Sequence, residues 1–134
     1  MLRIRLHGRG GQGIKTASQI QGTAAFLSGY QSQDFPLYGA ERRGAPIVAF
    51  TRISPEPILE RGPISIPDLL LIGDETLLED PQAAPLCGSD ELTVVFINST
   101  KDSQTLKRDF NLSTPPWCAG SPTRCFIDNG TGGI

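Results

Sequence analysis

The chain is poor in the residues that hold metals. Its three cysteines, Cys87, Cys118 and Cys125, are odd in number and widely spaced. They match neither the close cysteine runs that carry iron–sulfur clusters nor the paired spacings of zinc ligands. His7 is the only histidine available to assist them, so no metal site is expected within the chain. Long apolar runs are missing too. Leu69 to Ile72 and Val94 to Ile97 fall far short of the roughly 20 residues a membrane helix needs. The N-terminus enters a strand pattern at once and shows no secretory apolar core, so the expectation is a cytoplasmic protein with no membrane partner. Charge of one sign is also scarce. A net charge of −2 with 38% hydrophobic residues excludes a disordered chain and a general polyanion binder, so nucleic acid is not expected as a partner.

Glycine is present where it matters. A length of 134 residues suits one domain with a modest core. In Leu2-Arg3-Ile4-Arg5-Leu6 apolar and basic residues alternate as in a half-buried strand. The loop Gly8-Arg9-Gly10-Gly11-Gln12-Gly13 follows, and then Ile14 to Leu27 reads as a helix with Ile14, Ala17, Ile20, Ala24 and Leu27 near one face. Strand, glycine turn and helix in that order fit the pattern G-x-G-x-x-G, whose glycines let a backbone approach a pyrophosphate at a helix N-terminus. The other reading is that they only let the strand turn into a tightly packed helix. Lys15-Thr16 suggests a nucleoside-triphosphatase loop, but Ile14 intervenes after Gly13 and rotates Lys15 by about 100° from the place that motif requires.

A second charged loop lies downstream. Gly39-Ala40-Glu41-Arg42-Arg43-Gly44-Ala45-Pro46 sets three charges between two glycines and runs into the apolar segment Ile47 to Phe50. Glycine at both ends and Pro46 break any helix, leaving a shaped loop that feeds a strand over Ile47 to Ile53. Arg9, Arg42 and Arg43 suit bidentate binding of phosphate or carboxylate, while a structural ion pair with Glu41 or Asp34 is the plainer alternative.

Gln31 to Phe35 can form the second strand of a βαβ unit ending at Pro36, with Asp34 about where an acid would hold an adenine ribose. Pro55, Pro57 and Pro63 punctuate a connection. Asp68 to Ile72 and Leu92 to Ile97 read as strands buried in a parallel sheet, with Gly73-Asp74 and a short helix over Glu75 to Leu78 after the first. No repeat is visible, and Ser99 and Thr100 have no neighbouring histidine to make them nucleophiles. From Ser113 to Ile134, rich in Pro, Gly, Ser and Thr, no helix or strand can be drawn.

Taken together, the glycine loop and the run Phe35-Pro36-Leu37-Tyr38-Gly39-Ala40-Glu41-Arg42-Arg43-Gly44-Ala45-Pro46, followed by Ile47 to Ile53, resemble the gamma subunit of the 2-oxoacid:ferredoxin oxidoreductases, most of all the pyruvate enzymes. The resemblance runs from about Leu2 to about Ser99, and Asp68 to Leu78 is similar to the family's next strand and acidic turn. It implies an α/β, Rossmann-like three-layer αβα domain over residues 1–112 with a mostly parallel sheet, truncated at the C-terminus relative to the family, and an irregular or altered tail over 113–134. It implies oxidative decarboxylation of a 2-oxoacid with coenzyme A, with electrons passing to ferredoxin. Thiamine diphosphate and iron–sulfur clusters would belong to the alpha, beta and delta partner subunits, and the isolated chain would be inactive. The residues expected at a cofactor or partner contact are Gly8, Arg9, Gly10, Gly11, Gln12, Gly13, Glu41, Arg42 and Arg43, with none catalytic and none metal-binding. Two other readings stand beside this one: a free-standing nucleotide-binding dehydrogenase domain using Gly8 to Gly13 and Asp34, and a non-catalytic scaffold that joins subunits.

Overall fold

A computed structural model describes residues 1–37 and 43–112 in full and residues 117–119 as backbone. In chain order the elements are β1 (Leu2–Arg9), α1 (Ile14–Leu27), β2 (Gln31–Leu37), β3 (Pro46–Ser54), β4 (Leu69–Ile72), a 3-10 helix (Glu75–Glu79), β5 (Val94–Asn98), α2 (Ser103–Asp109) and β6 (Trp117–Ala119). The strands form one sheet in the order β2-β3-β1-β4-β5-β6. From β1 outward, β4, β5 and β6 run parallel, whereas β3 is antiparallel to both β1 and β2.

Register sorts the side chains into two faces, because partnered residues point the same way. Ile4 and Leu6 of β1 align with Thr51 and Ala49 of β3 and with Leu69 and Leu71 of β4. With Ile14 and Ala17 of α1 they make one core cluster. On the opposite face Leu70, Ile72, Val95 and Ile97 pack with Leu77 of the 3-10 helix and Leu106 of α2. The three-layer α/β arrangement therefore holds, with α1 on one side and the 3-10 helix and α2 on the other. Leu70, Leu77, Ile97 and Leu106 are all fully buried, and each contributes roughly 1.5–3 kcal/mol through removal from water. Asp102 caps α2, its carboxylate accepting the backbone N–H of Thr105 at 2.7 Å.

Several expectations change. β2 runs in the same direction as β1 but does not adjoin it, because β3 is inserted between them and splits the βαβ unit. β2 also continues through Pro36 to Leu37, which its edge position allows, since a proline there need not donate to a neighbour on the open side. β6 lies inside the segment where no strand was expected.

The helix face differs as well. The residues of α1 buried on the sheet are Ile14, Ser18, Gly22 and Ala25, while Ile20 and Leu27 are 63% and 78% exposed. Small residues let the helix sit close. Ser18 Oγ donates to Phe50 O at 3.2 Å and lies 2.9 Å from Thr51 Oγ1, and a Cβ at Gly22 would stand 2.5 Å from Asp34 Oδ1.

Nor is β1 half-buried. Arg5 and His7 are both 7% exposed, because loops close over their face of the sheet. Arg5 donates to the carbonyls of Ile64 (3.2 Å), Ser65 (3.1 Å), Pro85 (2.8 Å) and Cys87, tying two loops to the strand. Its desolvation there lowers the guanidinium pKa.

Candidate functional site

The two motifs read from the sequence meet. Where the β1–β3 ladder ends at Arg9 and Pro46, it is prolonged by two further backbone bonds. Gly10 N donates to Ala45 O at 2.8 Å and Gly44 N to Gly10 O at 3.1 Å. Gly44 has φ 84°, a left-handed value that glycine adopts without strain, and so turns the chain into β3. The glycine loop and residues 43–45 are thus one continuous edge at the C-terminal end of β1. Arg43 is exposed on it. Glu41 and Arg42 lie outside the described residues.

Each glycine in the loop has a separate reason. A Cβ on Gly8 would stand 2.2 Å from Ile14 Cγ1, so this position is closed by the helix it precedes. Gly11 and Gly13 have φ of 91° and 80°. Gly13 is the N-cap of α1, and the helix has no side-chain cap and no acid in its first turn. The helix start thus carries unneutralised partial positive charge, and Gly11, Gln12 and Gly13 are exposed there.

Arg9 is used otherwise. Its guanidinium donates to Thr76 Oγ1 from Nη2 at 2.9 Å and Nε at 3.1 Å, and to Gly44 O from Nη1 at 3.1 Å. Gln12 accepts the Arg9 backbone N–H at 2.8 Å and donates to Asp74 Oδ2 at 2.9 Å. Asp74 lies 3.6 Å from Arg9 Nε and caps the 3-10 helix by accepting Thr76 N at 2.9 Å. The Thr76 hydroxyl, foremost, with the Thr76 N–H, Gln12 and Arg9, holds the Asp74 carboxyl below the ordinary aspartate range. Thr76 and Asp74 were not among the residues picked from sequence. The Gly73-Asp74 turn after a buried strand was the available signal.

Other candidates are not brought here. Asp34 sits mid-strand on β2 against Gly22, with β3 between it and the strand that feeds the glycine loop. A ribose-gripping acid belongs on the strand adjoining β1, so this placement counts against the dehydrogenase reading. Ser99 donates to Glu75 rather than to an imidazole. Cys87 is exposed, Cys118 is described as backbone on β6, and Cys125 is outside the described residues. Among the described residues no three His, Cys, Asp or Glu side chains gather as a metal site, and no helix is long and apolar enough to cross a membrane.

Residues 3–124 match the family of pyruvate ferredoxin/flavodoxin oxidoreductases. The pyruvate synthase subunit PorC of Methanosarcina barkeri is 45% identical over 107 residues, covering 80% of this chain and 58% of that protein. The pyruvate/ketoisovalerate oxidoreductases common subunit gamma of Pyrococcus abyssi is 44% identical over 104 residues, 78% of this chain and 55% of its own length. Among solved structures, the pyruvate oxidoreductase subunit PORC of Thermotoga maritima superposes with a TM-score of 0.70 at 38% identity, over 84% of this chain and 57% of that one. The chain spans only a little over half the length of these relatives. Its fold, its two joined loops and these matches agree, and the chain belongs to the pyruvate ferredoxin/flavodoxin oxidoreductase family.

Proposed function

We propose that this chain serves as the gamma-type component of a cytoplasmic, multisubunit 2-oxoacid:ferredoxin oxidoreductase. In that complex pyruvate or a related 2-oxoacid is decarboxylated oxidatively with coenzyme A, giving an acyl-CoA and carbon dioxide, and the electrons leave for ferredoxin. Thiamine diphosphate and the iron–sulfur clusters reside on the alpha, beta and delta partners. The role of this chain is to complete the assembly at the edge formed by the glycine loop and residues 43–45, with Glu41 and Arg42 next to it in sequence. The observation that carries this reading is the pair of backbone bonds from Gly10 to Ala45 and from Gly44 to Gly10, which makes one surface of two separate motifs.

The edge suits an anion on its outer side. An uncapped helix start beside exposed Gly11, Gln12, Gly13 and Arg43 attracts a coenzyme A phosphate or a carboxylate of a partner subunit. On the inner side, Asp74 bonded to Gln12 repels one. Arg9 braces the loop through Thr76 and Gly44.

The test is to change Arg42 and Arg43 separately to Ala, and to measure melting temperature, assembly with the partner subunits and the KM for coenzyme A. Unchanged melting with weaker assembly or a raised KM is expected. Lost folding in either variant would make the pair structural, and no change in any of the three would remove the assignment.

A further inference from the structure

Arg3 of β1 and Arg52 of β3 are register partners, two like charges that repel when set directly opposite each other. The pair needs an anion, and Glu60, from the connection between β3 and β4, supplies it. Arg3 donates to both of its carboxylate oxygens, from Nε at 3.1 Å and from Nη2, and Arg52 Nε lies 3.3 Å from Oε2. The three side chains are unequally fixed. Arg52 is 3% exposed, lies over the Phe35 ring and donates to Gln33 Oε1 and Gly62 O at 2.7 Å each, yet its buried Nε makes no hydrogen bond among the described residues. The Glu60 side chain is 43% exposed. Its carboxylate can leave by side-chain rotation alone, because Arg52 holds the loop backbone at Gly62.

These residues line a cleft of about 560 Å³, a size that suits a small organic molecule. Pro63, Ile64 and Ile66 give it an apolar wall beside the charged fork. Arg61 donates to the carbonyls of Ile58 and Glu60 and has no acid partner among the described residues. Asp68 is held in place by accepting the Arg3 backbone N–H at 2.7 Å, and it repels a second negative group. Three arginines against Glu60 and Asp68 leave the cleft with a net charge of +1, which matches one monoanion rather than a dianion. Arg3 precedes Arg9 by six residues, so the cleft lies roughly 20 Å along β1 from the glycine loop.

We infer that this cleft binds a small monocarboxylic acid with an apolar body, its carboxylate taking the place of Glu60 between Arg3 and Arg52 and its body lying along Pro63, Ile64 and Ile66. The headgroup is a carboxylate because the fork already holds one through both oxygens, and an arginine fork favours that planar shape. Glu60 is the internal competitor. The inference does not depend on the reaction proposed above.

To test it, the full chain is titrated with hexanoate, and binding is followed by isothermal calorimetry and by melting temperature. Saturable binding with a raised melting temperature is expected, whereas hexanamide, the same body without the charge, should do neither. Glu60→Gln removes the competitor, so hexanoate should bind that variant about fivefold more tightly or better. That variant also leaves Arg3 and Arg52 opposed, so hexanoate should raise its melting temperature by more than it raises that of the unchanged chain. Arg3→Gln should weaken binding by about tenfold or more. Absence of saturable binding to both the chain and Glu60→Gln would overturn the inference, as would affinity indifferent to both variants, equal binding of hexanamide, or tighter binding of inorganic phosphate. Weaker assembly of Arg3→Gln with partner subunits, where hexanoate binds neither the chain nor Glu60→Gln, would give the fork to a partner's carboxylate and overturn it equally.

Discussion

Changing Gly8 to Ala tests whether the glycine loop is shaped first by packing. The new Cβ would stand 2.2 Å from Ile14 Cγ1 and 2.6 Å from Ile14 Cδ1, where carbon atoms settle at about 3.5–4.0 Å. Ile14 cannot yield freely, since it is 8% exposed and packed with Ile4, Leu6 and Ala49. Overpacking of this kind costs about 1–3 kcal/mol. Gly8 is not among the glycines with positive φ, so no backbone strain is added, and a stiffer unfolded chain returns about 0.4–1 kcal/mol. The net loss expected is about 1–2 kcal/mol. Ile14→Ala alone should cost about 2–4 kcal/mol through lost burial and the cavity left. In the double variant the Gly8→Ala methyl enters space that Ile14 vacates, so the combined loss should fall short of the sum by about 1 kcal/mol or more. Urea unfolding followed by far-ultraviolet circular dichroism reads all four corners of the cycle. Additivity within about 0.5 kcal/mol, or a neutral Gly8→Ala, would refute the packing argument and return Gly8 to the role of admitting a ligand to the backbone.

Arg5→Met removes a charged donor shared by four carbonyls and leaves two loops without their tie to β1. A loss of about 3–5 kcal/mol is expected in denaturant unfolding, and a loss below about 1 kcal/mol would contradict the clamp. His7 predicts a pH dependence, since burial, and then repulsion from Arg5, lowers its pKa to about 4. The unfolded chain takes up a proton as pH falls through about 6.5 while the folded chain does not, so the stability is whole above about 6.5 and is lost between there and about 4, by up to about 3 kcal/mol. His7 is the only histidine, so a His7→Gln variant should flatten stability between about pH 6.5 and 5, above the range where carboxylates such as Asp74 begin to titrate. An unchanged slope would refute the assignment.

Much of the fold was legible because apolar periodicity reports strands well. β3, β4 and β5 fall within two residues of their expected bounds, whereas β1 runs three residues past Leu6, taking Gly8 and Arg9 of the expected loop into the strand, and the strand–glycine–helix order is as read. The face of α1 was not legible, because Ile20, Ala24 and Leu27 make an apolar stripe that points away from this sheet, while Ser18 and Gly22, unremarkable in sequence, make the close contact. Burial of Arg5 and His7 was hidden for a different reason. The loops that bind Arg5 lie sixty to eighty residues away, and alternation along a strand carries no trace of them. Insertion of β3 between β1 and β2 is a pairing choice that strand patterns do not encode. At the site, the two loops were found by composition, but their joining through Gly10 and Gly44, and the engagement of Arg9 with Thr76, depend on that strand order.

The edge joining the glycine loop to residues 43–45 is proposed to meet a partner subunit in the assembled oxidoreductase. A photo-crosslinking amino acid placed at position 43, exposed on that edge, tests it in the proposed complex with partner subunits. A crosslink to one of those subunits is expected, and it should disappear when the same group is moved to the exposed Leu59. A chain that enters the complex yet crosslinks to no subunit from position 43 would contradict it.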